Sequence, residues 1–219
     1  MQDQTAQIIW AEGGVPVSQR FDDPYFSLEN GMEETGHVFL GGNDLPSRFR
    51  DGFHVAELGF GTGLNFLVTL RAFRTAGCSG VLHFTSFEAY PMEIADLHAA
   101  LLAFDGLPGD LAELTEFPTR LEGADFVLNV IHGDARTTLP AWNGRADAWF
   151  LDGFSPAKNP ELWSPGLMAE VAAHTAPQGT AATYTAAGFV RRGLAEAGFT
   201  VSRVQGYGRK RHMTRAVMV

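Results

Sequence analysis

The sequence predicts an α/β fold: a doubly wound, mostly parallel sheet of seven strands, preceded by a hairpin-rich N-terminal extension. Three observations carry this. From residue 53 onward, short apolar strands alternate with helical segments. The stretch His54-Val-Ala-Glu-Leu-Gly-Phe-Gly-Thr-Gly-Leu-Asn65 reads as a strand, a glycine turn and the start of a helix. Residues 1–52 lack that alternation and carry turn signals at Gly13-Gly14, Asn30-Gly31 and Gly41-Gly42-Asn43. The expected organisation is an extension over 1–52 and an α/β domain over 53–219.

Within the extension, Gln7–Trp10 and His37–Leu40 read as short strands. Phe53–Leu58 is the first strand of the sheet, and Thr62–Ala76 a helix with Gly77 suited to its C-terminal cap. Strand 81–87 ends at Glu88. Pro91 then opens a helix to about Phe104, since proline is tolerated in a first turn. Asp105–Thr119 is polar and proline-containing, a loop with room for a short helix. Phe126–His132 is a strand, followed by Gly133-Asp134-Ala135 and a short helix. Asp147–Leu151 is the next, ending in Asp152-Gly-Phe-Ser-Pro156. Pro160–Ala173 reads as helix, Gly179–Thr185 as strand, and Ala187–Ala197 as a helix ended by Gly198. Phe199–Val204 and Thr214–Val219 are the final strands, joined by Gly206-Tyr-Gly-Arg-Lys-Arg-His212.

The composition, 45% hydrophobic and 19% charged over 219 residues, is that of a globular chain. No apolar run approaches the roughly 18 residues of a membrane span, and Met-Gln-Asp-Gln lacks the features of a signal peptide. A lone Cys78 excludes an internal disulfide, and the histidines show no ligand spacing, so no metal is expected. These features point to a cytoplasmic protein. A net charge of −9 argues against a nucleic-acid partner, but the charge is unevenly spread. Residues 187–219 hold seven basic residues, including Arg209, Lys210 and Arg211, against Glu196 alone; the remainder holds nine basic and 24 acidic. Such a basic end can dock a polyanion, or can be a solvated surface.

Ligands of doubly wound sheets bind beyond the carboxyl ends of the strands, so the residues there matter most. After the first strand, Gly59, Gly61 and Gly63 let backbone pass close to a ligand, at a helix N-terminus whose N–H groups are free. The spacing excludes two ligands. A dinucleotide fingerprint needs glycine where Leu64 stands, and a phosphate loop needs Gly-Lys-Ser/Thr. Glu88, after the second strand, can accept hydrogen bonds from a ribose diol or cap its turn. Asp134 can meet an exocyclic adenine amine or mark a turn. Asp152 can hold an acceptor amine and take up its proton, or cap a strand end. Lys158 and Asn159 can bind phosphate or a base edge, or brace the loop. Ser155 and Ser164 lack a nucleophile elbow. The tryptophans suit the core, Trp163 beside the Asp152 loop being the candidate stacking platform.

Glu57 two residues before Gly59 completes E-x-G-x-G-x-G at a strand end. This resembles the first motif of class I S-adenosylmethionine-dependent methyltransferases, whose fold is a Rossmann-like doubly wound sheet. The resemblance implies that Glu57, Gly59, Gly61, Gly63 and Asn65 hold the amino-acid half of the cofactor, and Glu88, Asp134 and Ala135 its nucleoside half. Further motifs extend it: Phe21-Asp-Asp-Pro-Tyr-Phe-Ser27, Asn30-Gly-Met-Glu-Glu34, Val38-Phe-Leu-Gly-Gly-Asn43, Ser86-Phe-Glu88, Trp149-Phe-Leu-Asp-Gly-Phe-Ser-Pro-Ala-Lys-Asn-Pro160, Thr185-Ala-Ala-Gly-Phe-Val-Arg-Arg192 and Gly206-Tyr-Gly-Arg-Lys-Arg211. Together they are similar to the methyltransferase half of the MnmC family, bifunctional enzymes of tRNA wobble-uridine modification.

That resemblance implies methyl transfer to the amine of 5-aminomethyl-2-thiouridine, with Asp152 as the acceptor-site carboxylate and Tyr25 and Glu34 near the pocket. Arg209, Lys210 and Arg211 would meet phosphates of the tRNA anticodon loop, and Tyr25, Phe26 and Phe154 would stack on the extruded base. Bifunctional members continue into an FAD-dependent oxidoreductase domain, of which this sequence has no second glycine fingerprint. The expectation is a stand-alone form or one domain of a longer chain; the oxidative step then comes from elsewhere, with a separate FAD-dependent oxidoreductase as a candidate partner, or is unnecessary. Two alternatives stay open: a small-amine methyltransferase or aminopropyltransferase-like enzyme, and a non-catalytic RNA- or nucleoside-binding module.

Overall fold

A computed structural model describes residues 5–27, 30–112 and 114–219. The reading of Met-Gln-Asp-Gln as leaderless lies outside the described residues. The chain begins with a small antiparallel sheet of β1 (Ile8–Ala11), β2 (Val15–Ser18) and β3 (Asp23–Pro24). Helix α1 (Gly31–Thr35) follows, continued by a wider helical turn over Gly36–Leu40 and a tight one over Gly41–Asn43. Then come β4 (His54–Leu58), α2 (Leu64–Thr75), β5 (Leu82–Glu88), α3 (Ile94–Leu101), β6 (Arg120–Glu122), β7 (Phe126–His132), α4 (Ala135–Thr138) and β8 (Ala146–Leu151). A short turn at Pro160–Trp163 precedes α5 (Pro165–Ala173), β9 (Thr175–Thr183), α6 (Gly188–Glu196), β10 (Phe199–Gln205) and β11 (His212–Met218).

The main sheet has eight strands in the order β10-β11-β9-β8-β4-β5-β7-β6. The eighth, β6, pairs antiparallel with β7 at one edge. Its three residues are too short and too exposed to show an apolar alternation, which is why seven strands are read from the sequence. The chain runs outward from β4 through β5 to β7, then returns to the other side of β4 with β8 and β9. Both neighbours pair parallel to β4, so the direction of winding reverses between β4 and β8. That reversal opens a crevice at the carboxyl ends of those two strands. Leu58 lies opposite Leu151, which sets Gly59 beside Asp152.

Side chains alternate across the sheet. Val55, Phe84, Ala148 and Phe150 pack with Phe66 and Leu70 of α2 and with Val38 and Phe39. Trp149, Leu151, Ala56 and Phe87 pack on the opposite face with Leu167, Met168, Val190 and Leu194 of α5 and α6. Glu57, Ser86, Glu88 and Asp152 continue the first series and therefore point toward the α2 side.

The extension departs from expectation. His37–Leu40 is helical, not a strand. Three consecutive buried residues, Val38, Phe39 and Leu40, imitate a buried strand, but they wedge between α2 and the sheet. The missed signal is Asn30, whose side chain accepts from the Glu33 N–H at 3.1 Å and caps α1. Strands β2 and β3 were hidden by Pro16 and Pro24, which disfavour a strand reading.

At the opposite end of the sheet, burial, then the neighbouring His83 charge, hold the His54 imidazole down at about 4, against Asp147. The unfolded chain binds this proton near pH 6.5 and the folded chain only near 4. The neutral ring therefore costs nothing above pH 6.5, and stability is lost as pH falls from 6.5 to 4, by up to about 3 kcal/mol. His54→Gln is expected to flatten denaturant-measured stability across that window relative to the parent. Parallel curves would refute it.

Candidate active site

A cavity of about 1160 Å³ occupies the crevice, large enough for a nucleoside cofactor and an acceptor together, where single-ligand pockets run to roughly 1,000 Å³. Its floor is the loop after β4. Gly61 and Gly63 adopt φ of 54° and 76°, the left-handed region that disfavours side chains. A Cβ on Gly61 would lie 3.2 Å from the Tyr25 ring, and one on Gly63 would meet Leu111 at 2.6 Å.

Glu88 is buried at the cavity wall. Its oxygens accept from the Gly61 N–H at 2.9 Å and the Tyr90 N–H at 2.8 Å, so it braces the glycine loop. Burial raises its pKa, and those backbone donors oppose the rise. The Phe60 and Ala89 N–H groups also face this carboxylate, so backbone donors surround it on the loop side. Asp134 caps α4 through the Arg136 N–H at 2.9 Å and also pairs with the Arg136 guanidinium at 2.5 Å. It lines the cavity with Ala135, already partnered rather than free.

Asp152 stands at the other wall. Its Oδ1 accepts from the Gly153 N–H at 2.8 Å and its Oδ2 from the Asn65 amide at 2.7 Å. Protein surrounds it except where the cavity opens. Burial pushes its carboxyl up to about 6, Glu34 reinforces this, and the two donors and Lys210 oppose it. At neutral pH it is mostly anionic. Tyr184 donates from its hydroxyl to the Gly153 carbonyl at 2.8 Å, and the Lys210 ammonium lies 4.2 Å from the Tyr184 ring centre while pairing with Glu34 at 2.6 Å. The β10–β11 loop is thus tied across the cavity mouth to α1, a tie extended by Tyr207 to Glu33 at 2.5 Å. Acidic groups line the interior and Arg20, Arg209 and Lys210 reach its rim.

Several expected residues serve otherwise. Glu57 is fully buried beneath the loop, bonded to Asn65 at 2.8 Å and Ser86 at 2.7 Å, and does not reach the cavity. Gly63 shapes the loop without lining the cavity. Lys158 braces the N-terminal extension: its ammonium bonds the Asp22 carbonyl and carboxylate and stands 3.7 Å from Asp23. Asp23 in turn accepts from the Ser155 N–H at 2.8 Å. Asn159 lines the cavity. Phe154 lines the cavity but is already packed, with Phe21 stacked on it at 4.7 Å and the Tyr25 ring perpendicular to it at 5.1 Å. Tyr25 is kept a neutral phenol by burial and the Glu88 charge. Trp163 is not a stacking platform: it is 1% exposed, and its indole N–H holds the Phe154 carbonyl at 3.0 Å. Arg211 is exposed outside the cavity, near Arg191 and Arg203, all three flanking His212.

Thr35, Arg20, Tyr90 and Tyr184, which no sequence motif singles out, also line the cavity. Arg20 covers the Tyr90 ring at 4.7 Å. Tyr184 follows β9 and could have been found by the same strand-end rule that singled out Asp152.

A floor of left-handed glycines beside a buried carboxylate, facing a second carboxylate across a winding reversal, suits a nucleoside cofactor that donates a group to an amine. The match with known proteins agrees. The chain belongs to the S-adenosyl-L-methionine-dependent methyltransferases, the family model of that description matching residues 104–219. Among its relatives is the tRNA 5-methylaminomethyl-2-thiouridine biosynthesis bifunctional protein MnmC of Stutzerimonas stutzeri, 45% identical over 97% of this chain and 34% of the relative. The protein of that name from Pseudomonas aeruginosa PAO1 is 48% identical over 96% of this chain and 34% of its own length. The chain therefore spans about a third of the curated relatives it matches. The crystal structure of MNMC2 from Aquifex aeolicus superposes with a TM-score of 0.74 at 25% identity, covering 98% of this chain and 71% of that one.

The cavity fits S-adenosylmethionine. Cβ-free loop positions give room at Gly59 and Gly61, and Glu88 and Asp134 offer carboxylates to hydroxyl and amine donors; Asn65, expected to hold the cofactor, lines the cavity but gives its amide N–H groups to Glu57 and Asp152 instead. When bound, the cofactor supplies an electrophilic methyl group. Among the described residues, no helix is long and apolar enough to cross a membrane.

Proposed function

We propose that this protein methylates the amine of 5-aminomethyl-2-thiouridine at the wobble position of tRNA, giving 5-methylaminomethyl-2-thiouridine. The observation that carries the reading is Asp152, held by two donors at the cavity wall beside the glycine loop. An anionic carboxylate there attracts a cationic amine and orients it. The amine attacks only once deprotonated, so Asp152 must accept its proton or pass it to water. Aiming and desolvating the nucleophile account for much of the acceleration. The relatives' printed names supply the tRNA product, and the basic rim supplies a reason for an RNA to dock on an acidic chain.

The base leaves the anticodon stack to reach the cavity, where Tyr25 and Phe154, both in its lining, receive it. Arg209, Lys210 and Arg211 meet neighbouring phosphates, and Asn159 reaches a base edge. Such a substrate places the enzyme in the cytoplasm. An amine-forming step must precede this one, and an FAD-dependent oxidoreductase, on the same chain or on another, is the activity proposed for it. The decisive experiment incubates the protein with labelled S-adenosylmethionine and tRNA lacking the final methyl, followed by nucleoside analysis. Label confined to protein or to free small amines would overturn the tRNA reading.

Charge reversal of Arg209, Lys210 and Arg211 together is expected to weaken tRNA binding by about 10²–10³-fold and to reduce the salt slope of log K by about 3, close to one per lost phosphate contact. Filter binding between 50 and 200 mM salt, concentrations at which such contacts are sensitive by about this much, measures both. An unchanged slope would exclude these residues from the interface.

A further inference from the structure

We propose that Asn65 is a positioning residue that aims the Asp152 carboxylate and ties it to Glu57, so that the two acids titrate as a linked pair. This rests on the reading of Asp152 as the acceptor carboxylate. A primary amide has two N–H donors, and Asn65 gives one to each acid, at 2.7 Å to Asp152 and 2.8 Å to Glu57. Its carbonyl accepts from the Thr35 hydroxyl at 2.8 Å. The two carboxylates set the orientation, since the amide turned over would press its oxygen against both, and the Thr35 hydroxyl then holds the side chain in place. The sheet geometry makes the bridge possible. Glu57 and Asp152 point to the same face of adjacent strands, and Asn65 stands above them in the first turn of α2.

Nothing else among the described side chains bonds both acids. Ser86 holds the other oxygen of Glu57, and the Gly153 N–H holds the other oxygen of Asp152. The groups facing Asp152 are Glu57 from β4, Glu34 from α1, Lys210 from the β10–β11 loop and Tyr184 beyond β9; Glu57 faces Glu88 as well. Burial raises both acids, the Asp152 charge raises Glu57 further, and the Asn65 amide pulls both down. Removing the amide must therefore move the Asp152 titration upward, toward neutral pH, where the anion is needed.

The test uses Asn65→Leu, Thr35→Val, Asp152→Asn and the double variant Asn65→Leu/Asp152→Asn. In cofactor-free protein, carboxyl-carbon NMR is expected to show the Asp152 midpoint rising by about one pH unit in Asn65→Leu, and by less in Thr35→Val. The acid limb of kcat should move by the same interval, with kcat at pH 7 reduced about 10–100-fold; about 2-fold of that is loss of the anion and returns at pH 9, and the rest is lost aim and does not. Affinity for S-adenosylhomocysteine, measured calorimetrically, should change less than about 5-fold, and Asn65→Leu should cost less than about 3-fold further once Asp152 is already Asn. An unmoved Asp152 midpoint, a full additive cost in the double variant, or a loss confined to cofactor affinity would each overturn the proposal. Should Asn65→Leu not fold, Thr35→Val carries the test, and an unshifted midpoint there overturns it. The NMR arm needs no acceptor. Failure on tRNA with a shifted midpoint would therefore count against the substrate reading while supporting the role of Asn65.

Discussion

Asp152→Asn is expected to lower kcat for methyl transfer by about 10²–10⁴-fold, the range in which a positioned proton acceptor contributes, while cofactor affinity changes less than about 5-fold. The same variant should make the protein more stable. Asp152 titrates at about 6 when folded against 3.8 for a free carboxyl, so folding favours its protonated form. Below pH 3.8 the charge costs nothing; the cost grows as pH rises and is complete above about 6. Asparagine removes the buried charge but gives up one of the two accepted hydrogen bonds. The expected net gain at pH 7.5 is about 1–2 kcal/mol, or a Tm higher by roughly 2–4 °C per kcal/mol, vanishing near pH 4. Calorimetry across that range together with single-turnover kinetics decides it. A destabilised variant would refute the cost of the buried charge, and a near-parental kcat would refute the carboxylate's part in methyl transfer.

Gly61→Val is expected to weaken S-adenosylhomocysteine binding by at least about 100-fold, near 3 kcal/mol. Gly61 sits at φ 54°, where a β-branched residue is strained by roughly 1–3 kcal/mol. Its new side chain would enter the gap below Tyr25, only 3.2 Å deep at the Cβ, and disturb the N–H that Glu88 holds. Isothermal titration measures the loss, and circular dichroism confirms that the fold persists. Affinity within about 5-fold of the parent would show that this loop does not carry the cofactor.

The parts of the site that were legible lie at strand ends. Asp152 and Glu88 could be picked out because an apolar run stops and a carboxylate follows, and a doubly wound sheet brings such ends together. Lys158, which lines the cavity and also braces the extension, and Trp163, which is buried, were left open between two roles for the same local reason. Both sit in an unusual loop, but their partners, Asp22, Asp23 and the Phe154 carbonyl, come from elsewhere in space. Glu57 was recognised by its place before the glycines. Its burial depends on α2 and β5 closing over it. The helical stretch Gly36–Leu40 went unread because three buried residues in a row look alike in either backbone geometry.

By itself the sequence determined the alternation of strands and helices, the glycine loop and the identity of the carboxylates that end strands. These are local properties, written in spacing and in backbone permissiveness. Only the tertiary structure decided that β4 and β8 are neighbours, that Glu57 and Asp152 share one face, and that a single amide joins them. Those facts depend on strand order and register, which contacts between distant residues select and no short stretch of chain encodes.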